Sequence, residues 1–209
     1  MMTLTRRKLM IGSAAATGLA LGVPGAYALD IAELNKEPEL GEMWLGAEAA
    51  ATKVTLIEYA SATCPHCAAF HSEAYKPLKA EFIDSKKIRF VFREFPLNDA
   101  ALAAFMVARA ANKDAYFPLI DVFFETLQTW AQGDVAENLF NIAKQAGFTR
   151  EKFDATLKDS ELAKKILAIK EAGEKFGVEG TPTFFLNGEI YEGDRTFDAM
   201  KKVIDPLLA

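Results

Sequence analysis

Cys64-Pro65-His66-Cys67 lies at the end of the apolar, β-branched run Val54–Ala60 and opens a segment with helical periodicity. The chain has two cysteines, and both are in this stretch. Two intervening residues bring their sulfurs within disulfide reach at the start of a helix. There, unpaired backbone N–H groups and the positive end of the helix dipole stabilise an anion. We therefore expect Cys64 to become a thiolate, the nucleophile of disulfide exchange.

The sequence predicts a β-α-β order around this stretch. The run Val54–Tyr59 is apolar on both faces, as is typical of a buried strand. Residues 68–82 have helical spacing, which Pro77 should kink or divide. Residues 87–95 alternate as a second strand. Consecutive strands joined by a helix lie parallel, and Met43-Trp44-Leu45 fits a short edge strand.

The second half of the chain is predicted to be helical until it returns to sheet. Helices are expected over 98–111, 117–130 and 135–146, then after the N-caps Thr149 and Ser160. Two short strand patterns, 183–186 and 189–191, flank Asn187-Gly188, which is a strong signal for a type I′ hairpin. Thr196 is positioned to cap a last helix.

Residues 1–28 have the three parts of a secretory signal peptide: a basic start with Arg6-Arg7, an apolar core of small residues, and the cleavage signal Ala26-Tyr27-Ala28. The paired arginines favour the twin-arginine export route, and an ordinary Sec signal is the alternative. We expect cleavage after Ala28 and a soluble periplasmic product. The whole chain has a net charge of −5, and removing a basic leader makes it more acidic, which argues against nucleic acid as a partner.

These residues resemble the DsbA family of thioredoxin-fold thiol oxidoreductases. Cys-Pro-His-Cys at 64–67 is the variant typical of that family, and Thr181-Pro182, before a hairpin, matches the position of a cis-proline that faces the redox pair. Glu58, six residues before Cys64, matches a buried acidic residue. The resemblance implies an α/β, thioredoxin-like fold interrupted by an all-helical insertion. The implied division is a signal peptide (1–28), the first part of the thioredoxin-like domain (29–97), the insertion (98–176) and the second part (177–209).

Each residue of the redox stretch has a chemical reason to be there. Pro65 removes a backbone donor and fixes φ in the first helical turn. His66 can add positive charge or a hydrogen-bond donor near the Cys64 sulfur. Cys67, one turn further in, is expected to be the buried partner that resolves mixed disulfides. Because a stable thiolate stabilises the reduced form, the disulfide form becomes an oxidant.

Three residues outside the stretch are also weighed. A carboxylate in an apolar strand is costly without a partner or a task, so Glu58 is expected to accept or relay a proton from Cys67 through water; an edge-exposed glutamate is the alternative. If Pro182 is cis, the Thr181 backbone can pair with an extended substrate by strand addition. His71 is interpreted as an ordinary surface or packing residue.

The resemblance implies an exported thiol:disulfide oxidoreductase that donates the Cys64–Cys67 disulfide to reduced, unfolded polypeptides. It implies no dissociable cofactor, and a membrane quinone-linked, DsbB-like protein as the reoxidising partner. We expect a monomer. A twin-arginine leader departs from the usual export of this family.

Two alternative functions remain open. A reductase or isomerase of the same fold is the alternative within the same chemistry. A metal-binding or chaperone module that uses the cysteine pair without turnover is the alternative from another class. A closed zinc site needs four ligands, and only His66 and His71 remain as further soft ligands. A static disulfide across so short a loop contributes little chain entropy.

Overall fold

A mixed five-stranded sheet lies at the centre of this computed structural model, which describes residues 31–209. Its strands are β1 (Met43–Gly46), β2 (Thr55–Ala60), β3 (Arg89–Glu94), β4 (Thr183–Leu186) and β5 (Glu189–Ile190). Their spatial order is β1-β3-β2-β4-β5. Strands β2 and β3 are parallel, and the other neighbours are antiparallel. The predicted parallel β-α-β arrangement and the β1 edge strand are confirmed. The signal peptide predicted at 1–28 lies outside the described residues.

The helices of residues 31–209 connect and cover these strands. They are α1 (Ile31–Leu34), α2 (Pro65–Phe70), α3 (Lys76–Leu78), α4 (Asp99–Ala110), α5 (Tyr116–Glu125), α6 (Leu127–Trp130), α7 (Val135–Gln145), α8 (Arg150–Leu157), α9 (Ser160–Lys175) and α10 (Phe197–Leu208). Helices α4–α9 lie between β3 and β4 in sequence, where helices were predicted. No helix in the described part is both long and apolar enough to cross a bilayer. The division into domains at 97/98 and 176/177 stays a prediction.

Two π-helical turns take up the irregularity at Pro77. The turns, His71–Tyr75 and Lys79–Ile83, flank α3 and join it to α2, so the chain is helical from Pro65 to Ile83. Proline has no N–H to complete the regular hydrogen-bond ladder, and wider π turns accommodate such a break. The predicted interruption at Pro77 therefore appears as a change of helix type.

The two faces of the sheet bury different sets of side chains. Because successive residues of a strand point to opposite faces, Leu56 and Phe92 pack on one face with α2 and the helices that follow β3. Ile57 and Tyr59 pack on the other face with α1 and α9. Glu58 falls on the same face as Leu56. A charged residue of β2 therefore lies under the helix that carries the cysteines.

One predicted helix cap is wrong. Thr149 caps α8 as expected, but Ser160 is already the first residue of α9. The cap is Asp159, whose carboxylate accepts hydrogen bonds from the backbone of Glu161 and Leu162. A carboxylate both accepts these bonds and carries the charge that the helix N-terminus favours.

The hairpin between β4 and β5 is confirmed. Asn187 and Gly188 have φ values of 50° and 92°, as a type I′ turn requires. Asn187 also accepts a hydrogen bond from the backbone N–H of Thr55 at 2.8 Å. The turn is thereby fixed to the start of β2.

Candidate redox site

Cys64 and Cys67 lie where β2 leads into α2. Pro65 is the first residue of α2, which places Cys64 at the helix N-cap and Cys67 on its first turn. Both thiols are free. Cys64 is 5% exposed and Cys67 is completely buried. Cys64 is therefore the outer sulfur and Cys67 the inner, buried one, as the sequence predicted.

Hydrogen bonds lower the pKa of Cys64 to about 5. The largest contribution is the hydrogen bond from the Cys67 thiol, and burial acts in the opposite direction. The Thr181 hydroxyl lowers the pKa further, and its buried oxygen has no other hydrogen-bond partner within residues 31–209. The backbone N–H groups of Cys67 and His66 add to the effect. Cys64 is therefore a thiolate at neutral pH.

The environment of Cys67 has the opposite effect. Burial raises the pKa of the Cys67 thiol far above its usual range, and the hydrogen bond to Cys64 and the negative charge of Glu58 raise it further. Cys67 therefore holds its proton while Cys64 has lost one. A dithiol with this asymmetry has one nucleophile and one thiol that must lose a proton before it can react.

The loop before β4 closes over Cys64. The Thr181–Pro182 peptide bond is cis, in the position where the family resemblance implied a cis-proline. In the thiol form, Cys64 Sγ donates a hydrogen bond to the Thr181 carbonyl oxygen at 3.2 Å. The hydroxyl of Thr183 donates to the carbonyl of Gly180 at 2.7 Å, within the same loop. The structure thus brings together two segments that are 117 residues apart in sequence.

His66 contributes to the site through its backbone. Its N–H lowers the pKa of Cys64, and the additional contribution expected from the imidazole stays a prediction. The His66 side chain is exposed and lines a groove of about 400 Å³ between α2 and the segment before α10. The groove is also lined by the apolar residue Phe70 and the charged residues Glu73 and Arg195.

Glu58 is completely buried on the central strand β2, beside β3 on one side and β4 on the other. The alternative of an edge-exposed glutamate is therefore wrong. Glu58 Oε2 lies 3.0 Å from His71 Nε2, and Glu58 Oε1 has no hydrogen-bond partner among the described residues. A buried carboxylate with one oxygen unpaired is costly, so its position beside Cys67 matters for the chemistry of the site.

His71 is the partner of Glu58 that sequence reasoning missed. Its side chain is buried, so the surface interpretation is wrong, although the ring does pack against Tyr75 and Phe124. Burial alone lowers the pKa of His71, but the carboxylates of Glu58 and Asp121 more than offset this, and the net shift is upward. One sequence signal could have found this pairing. Glu58 lies in an apolar strand, and a buried carboxylate requires a polar partner, which the covering helix can supply.

The arrangement bears on the metal-binding alternative. In residues 31–209, no three side chains of His, Cys, Asp or Glu are grouped closely enough to hold a metal ion. Within that range, the geometry places the two sulfurs against a proline loop and a buried carboxylate.

Comparison with known proteins identifies the family. The sequence model of the family described as Thioredoxin matches residues 39–206. The chain belongs to the thioredoxin family. Within this family its relatives are of the DsbA type, as the resemblance of residues 58–67 and 181–182 implied. The predicted fold class, a thioredoxin-like fold with a helical insertion, is confirmed.

Three relatives illustrate the similarity of this thioredoxin-family chain. It is 32% identical to a putative protein-disulfide oxidoreductase of Rickettsia bellii, over 74% of this chain and 62% of the relative. It is 27% identical to a probable disulfide bond formation protein D of Bacillus anthracis, covering 77% and 76%. The crystal structure of Wolbachia pipientis alpha-DsbA1 is 27% identical and superposes with a TM-score of 0.75, covering 84% of this chain and 95% of that one. The chain spans about three fifths of the length of the Rickettsia relatives.

Proposed function

We propose that the chain is a thiol:disulfide oxidoreductase that acts as a dithiol oxidase and donates the Cys64–Cys67 disulfide to reduced, unfolded polypeptides. The observation that carries this proposal is the asymmetry of the two sulfurs. Hydrogen bonds lower the pKa of Cys64 to about 5, while burial raises that of Cys67. The names of the Rickettsia and Bacillus relatives support the same class of reaction.

The first step of the proposed reaction opens the enzyme disulfide. A substrate thiolate attacks Cys64 Sγ, a substrate–enzyme S–S bond forms, and the Cys64–Cys67 bond breaks with its electron pair going to Cys67. The Cys67 thiolate then takes up a proton, since its pKa is raised by burial. The high pKa of Cys67 makes this proton uptake favourable, and protonation prevents Cys67 from attacking the mixed disulfide and reversing the step.

The second step releases the oxidised product. A second substrate thiolate attacks the substrate sulfur of the mixed disulfide, and Cys64 leaves with the electron pair. A thiol of low pKa is a good leaving group, and the hydrogen bonds that lower the pKa of Cys64 stabilise it as it departs. The substrate has lost two electrons and the enzyme dithiol has gained them, so no dissociable cofactor is needed.

The loop at Thr181-Pro182 is proposed to hold the substrate. It lies against Cys64, as the hydrogen bond from Cys64 Sγ to the Thr181 carbonyl indicates. An extended polypeptide can pair with the backbone of such a loop by strand addition. The adjacent groove, with His66 at its edge, supplies both apolar and charged surface for the side chains of the substrate.

The cellular setting is proposed from the sequence. The leader at 1–28 supports export to the periplasm, and the DsbA-type relatives are in accord with an extracytoplasmic role. A membrane quinone-linked, DsbB-like protein is proposed to reoxidise the Cys64–Cys67 dithiol, with the chain acting as a monomer. The acidic net charge supports polypeptides over nucleic acid as substrates.

The test is the reduction potential of the Cys64–Cys67 couple, measured by equilibration in glutathione buffers. A dithiol oxidase should have a potential well above the roughly −270 mV of thioredoxin. A thioredoxin-like value would overturn the oxidase proposal and favour a reductase or isomerase. A Cys67→Ser variant should accumulate a mixed disulfide with a reduced unfolded substrate after oxidation of Cys64 by glutathione disulfide, and Cys64→Ser should not.

A further inference from the structure

A line of polar side chains leads from the inner sulfur to the surface. Cys67 and Glu58 are completely buried, and the negative charge of Glu58 acts on the Cys67 thiol. Glu58 Oε2 is 3.0 Å from His71 Nε2. On the far side of the ring, His71 Nδ1 is 3.9 Å from Asp121 Oδ1 on α5, and the Asp121 side chain is 42% exposed. The line therefore starts at the inner sulfur and ends in solvent.

Both members of the central pair keep a polar atom unused. Within the described part of the chain, Glu58 Oε1 and His71 Nδ1 are buried and without a hydrogen-bond partner. A pair that served only to stabilise the core would be expected to have its polar atoms satisfied. An unpartnered polar atom on each side is what the pair needs if it receives a proton on one side and passes one on at the other.

The surroundings of His71 keep this line isolated from other titratable groups. The side chains that face the ring are two carboxylates, one phenol and apolar rings: Glu58 from β2, Asp121 from α5, Tyr75 from the same helical turn, and Phe70, Phe92 and Phe124. Burial and the two carboxylates raise the pKa of Tyr75, so its hydroxyl stays protonated. His71 is thus the group between Glu58 and Asp121 that can exchange a proton near neutral pH.

We propose that His71 and Asp121 conduct protons between solvent and the buried Glu58–Cys67 pair. This proposal rests on the oxidoreductase function proposed above. When the Cys64–Cys67 bond breaks, the Cys67 thiolate takes a proton by way of Glu58, His71 supplies Glu58, and solvent supplies His71 at Asp121. During reoxidation the path runs in reverse. The Cys67 thiol gives its proton to Glu58 before its sulfur attacks the mixed disulfide on Cys64 and displaces the outgoing thiolate. His71 and Asp121 are positioning residues, since neither touches the reacting sulfurs.

The experiment separates the two steps of oxidation by glutathione disulfide. In stopped-flow measurements on the reduced protein, attack by Cys64 depends on the glutathione disulfide concentration, and resolution by Cys67 does not. In His71→Phe, which keeps an aromatic ring among its neighbours, resolution by Cys67 should be about tenfold slower, with attack by Cys64 unchanged. In Asp121→Asn the same step should be about threefold slower.

The matched control is Glu125→Gln, one turn further along α5. Glu125 pairs with Lys76 at 2.8 Å on the surface. Both steps should keep wild-type rates in this variant. If Asp121→Asn matches Glu125→Gln, the exit through Asp121 is overturned, and this test holds even if His71→Phe does not fold.

The pH profile distinguishes proton transfer from a packing role. In the wild type, the rate of resolution should level off as pH rises, because the internal path removes the Cys67 proton. In His71→Phe it should keep rising, because a proton passed to Glu58 can then leave only to hydroxide from solvent. A slower rate with an unchanged profile would overturn the proposal and leave His71 a packing residue. Failure of the proposed function would look different: the wild-type potential would be thioredoxin-like while both steps remained measurable.

Discussion

Two glutamates are completely buried on the same face of the sheet, and their environments differ. Glu94, on β3, has both carboxylate oxygens bonded by the guanidinium of Arg109, and the hydroxyl of Tyr116 donates to it at 2.6 Å. Glu58, on the neighbouring strand β2, has one oxygen near His71, and its other oxygen has no partner in the part of the chain that the structure describes. Glu94 and Glu58 are thus equally buried but have different partners, and this difference suggests different roles. Glu94 joins β3 to the helical insertion through Arg109 and Tyr116, and Glu58 keeps a carboxylate oxygen free on the strand that leads to the cysteines.

The partners explain the difference. Arginine stays protonated at every accessible pH, so Arg109 always carries its charge in the pair with Glu94. Histidine can release its proton. His71 can therefore become neutral when Glu58 is replaced, so no unpaired charge has to remain buried. We call Glu94–Arg109 the fixed pair and Glu58–His71 the exchangeable pair. The fixed pair joins β3 to α4, and the exchangeable pair includes the carboxylate whose charge acts on Cys67.

The largest expected effect comes from breaking the fixed pair. Glu94→Ala leaves a buried Arg109 guanidinium without its counter-charge and removes the acceptor of Tyr116. We expect a loss of about 3–5 kcal/mol in the free energy of unfolding, measured by urea denaturation. Thiol exchange by the protein that remains folded should be unchanged.

A surface carboxylate provides the control for this loss. Glu125 is half exposed in its pair with Lys76, and Glu125→Gln should change the free energy of unfolding by no more than about 0.5 kcal/mol. If Glu94→Ala also falls within that range, the contrast between the two buried glutamates disappears.

The second prediction concerns the pKa of Cys64 and its dependence on Cys67. Cys67→Ala removes the hydrogen bond that contributes most to the low pKa of Cys64. A hydrogen bond to a charged group contributes about 1.5–3 kcal/mol, so the pKa of Cys64 should rise from about 5 by roughly one to two units. Ultraviolet thiolate absorbance during a pH titration measures this shift. An unchanged pKa would assign the effect to Thr181 and the backbone N–H groups.

Because the pKa of Cys64 is lowered in the folded protein, the stability of the reduced form should depend on pH. The pKa of Cys64 is about 5 in the folded protein and about 8.5 when unfolded. The thiolate therefore stabilises the reduced fold fully above the unfolded pKa, and this contribution is lost as pH falls toward about 5. Disulfide-bonded protein lacks the thiolate. The stability of the reduced form relative to the disulfide-bonded form should thus decline as the pH falls from the unfolded pKa toward the folded pKa of Cys64.

The third prediction tests the exchangeable pair. Glu58→Gln leaves His71, which can lose its proton, so the free energy of unfolding should fall by no more than about 1.5 kcal/mol. The pKa of Cys67 should fall, because the charge of Glu58 raises it. Urea denaturation and thiolate absorbance in a Cys64→Ser background measure the two effects. A loss as large as that of Glu94→Ala would show that Glu58 is equally structural.

The sequence predicted those parts of the site that depend on local pattern. The position of Cys64 and Cys67 at a helix start follows from a strand that ends just before them, and the hairpin after Pro182 follows from Asn187-Gly188. The burial of Glu58 was inferred from the apolar run around it. Each of these inferences uses residues close together in the chain, whose geometry the backbone fixes.

The ion pairs were beyond this reasoning because they depend on packing between distant segments. Arg109 lies on α4 and Glu94 at the end of β3, 15 residues apart in sequence, and the fold brings their side chains together. His71 turns toward Glu58 within a π-helical turn that the sequence did not predict beyond an interruption at Pro77. A lone histidine on a helix has no pattern that distinguishes packing from pairing, so its role required the three-dimensional arrangement.

The smallest expected effect tests how the exchangeable pair depends on pH. Burial lowers the pKa of His71, but Glu58 and Asp121 together raise it above the usual value. A histidine whose folded pKa is raised stabilises the fold below its unfolded pKa, near 6.5, and loses this contribution as pH rises through the folded pKa. Asp121→Asn removes part of the upward shift. Because Asp121 is partly exposed, the variant should be only about 0.2–1 kcal/mol less stable than wild type near pH 6.

At a pH above the folded pKa of His71 the two proteins should have equal stability, because the imidazole is then neutral in both. Urea denaturation at the two pH values measures the difference. A loss that is the same at both would mean that Asp121 stabilises α5 itself and not the imidazolium. A loss confined to the acidic side would show that the charge on His71 is exchangeable in the folded protein. The charge on Arg109 is not exchangeable, since arginine keeps its proton throughout this range.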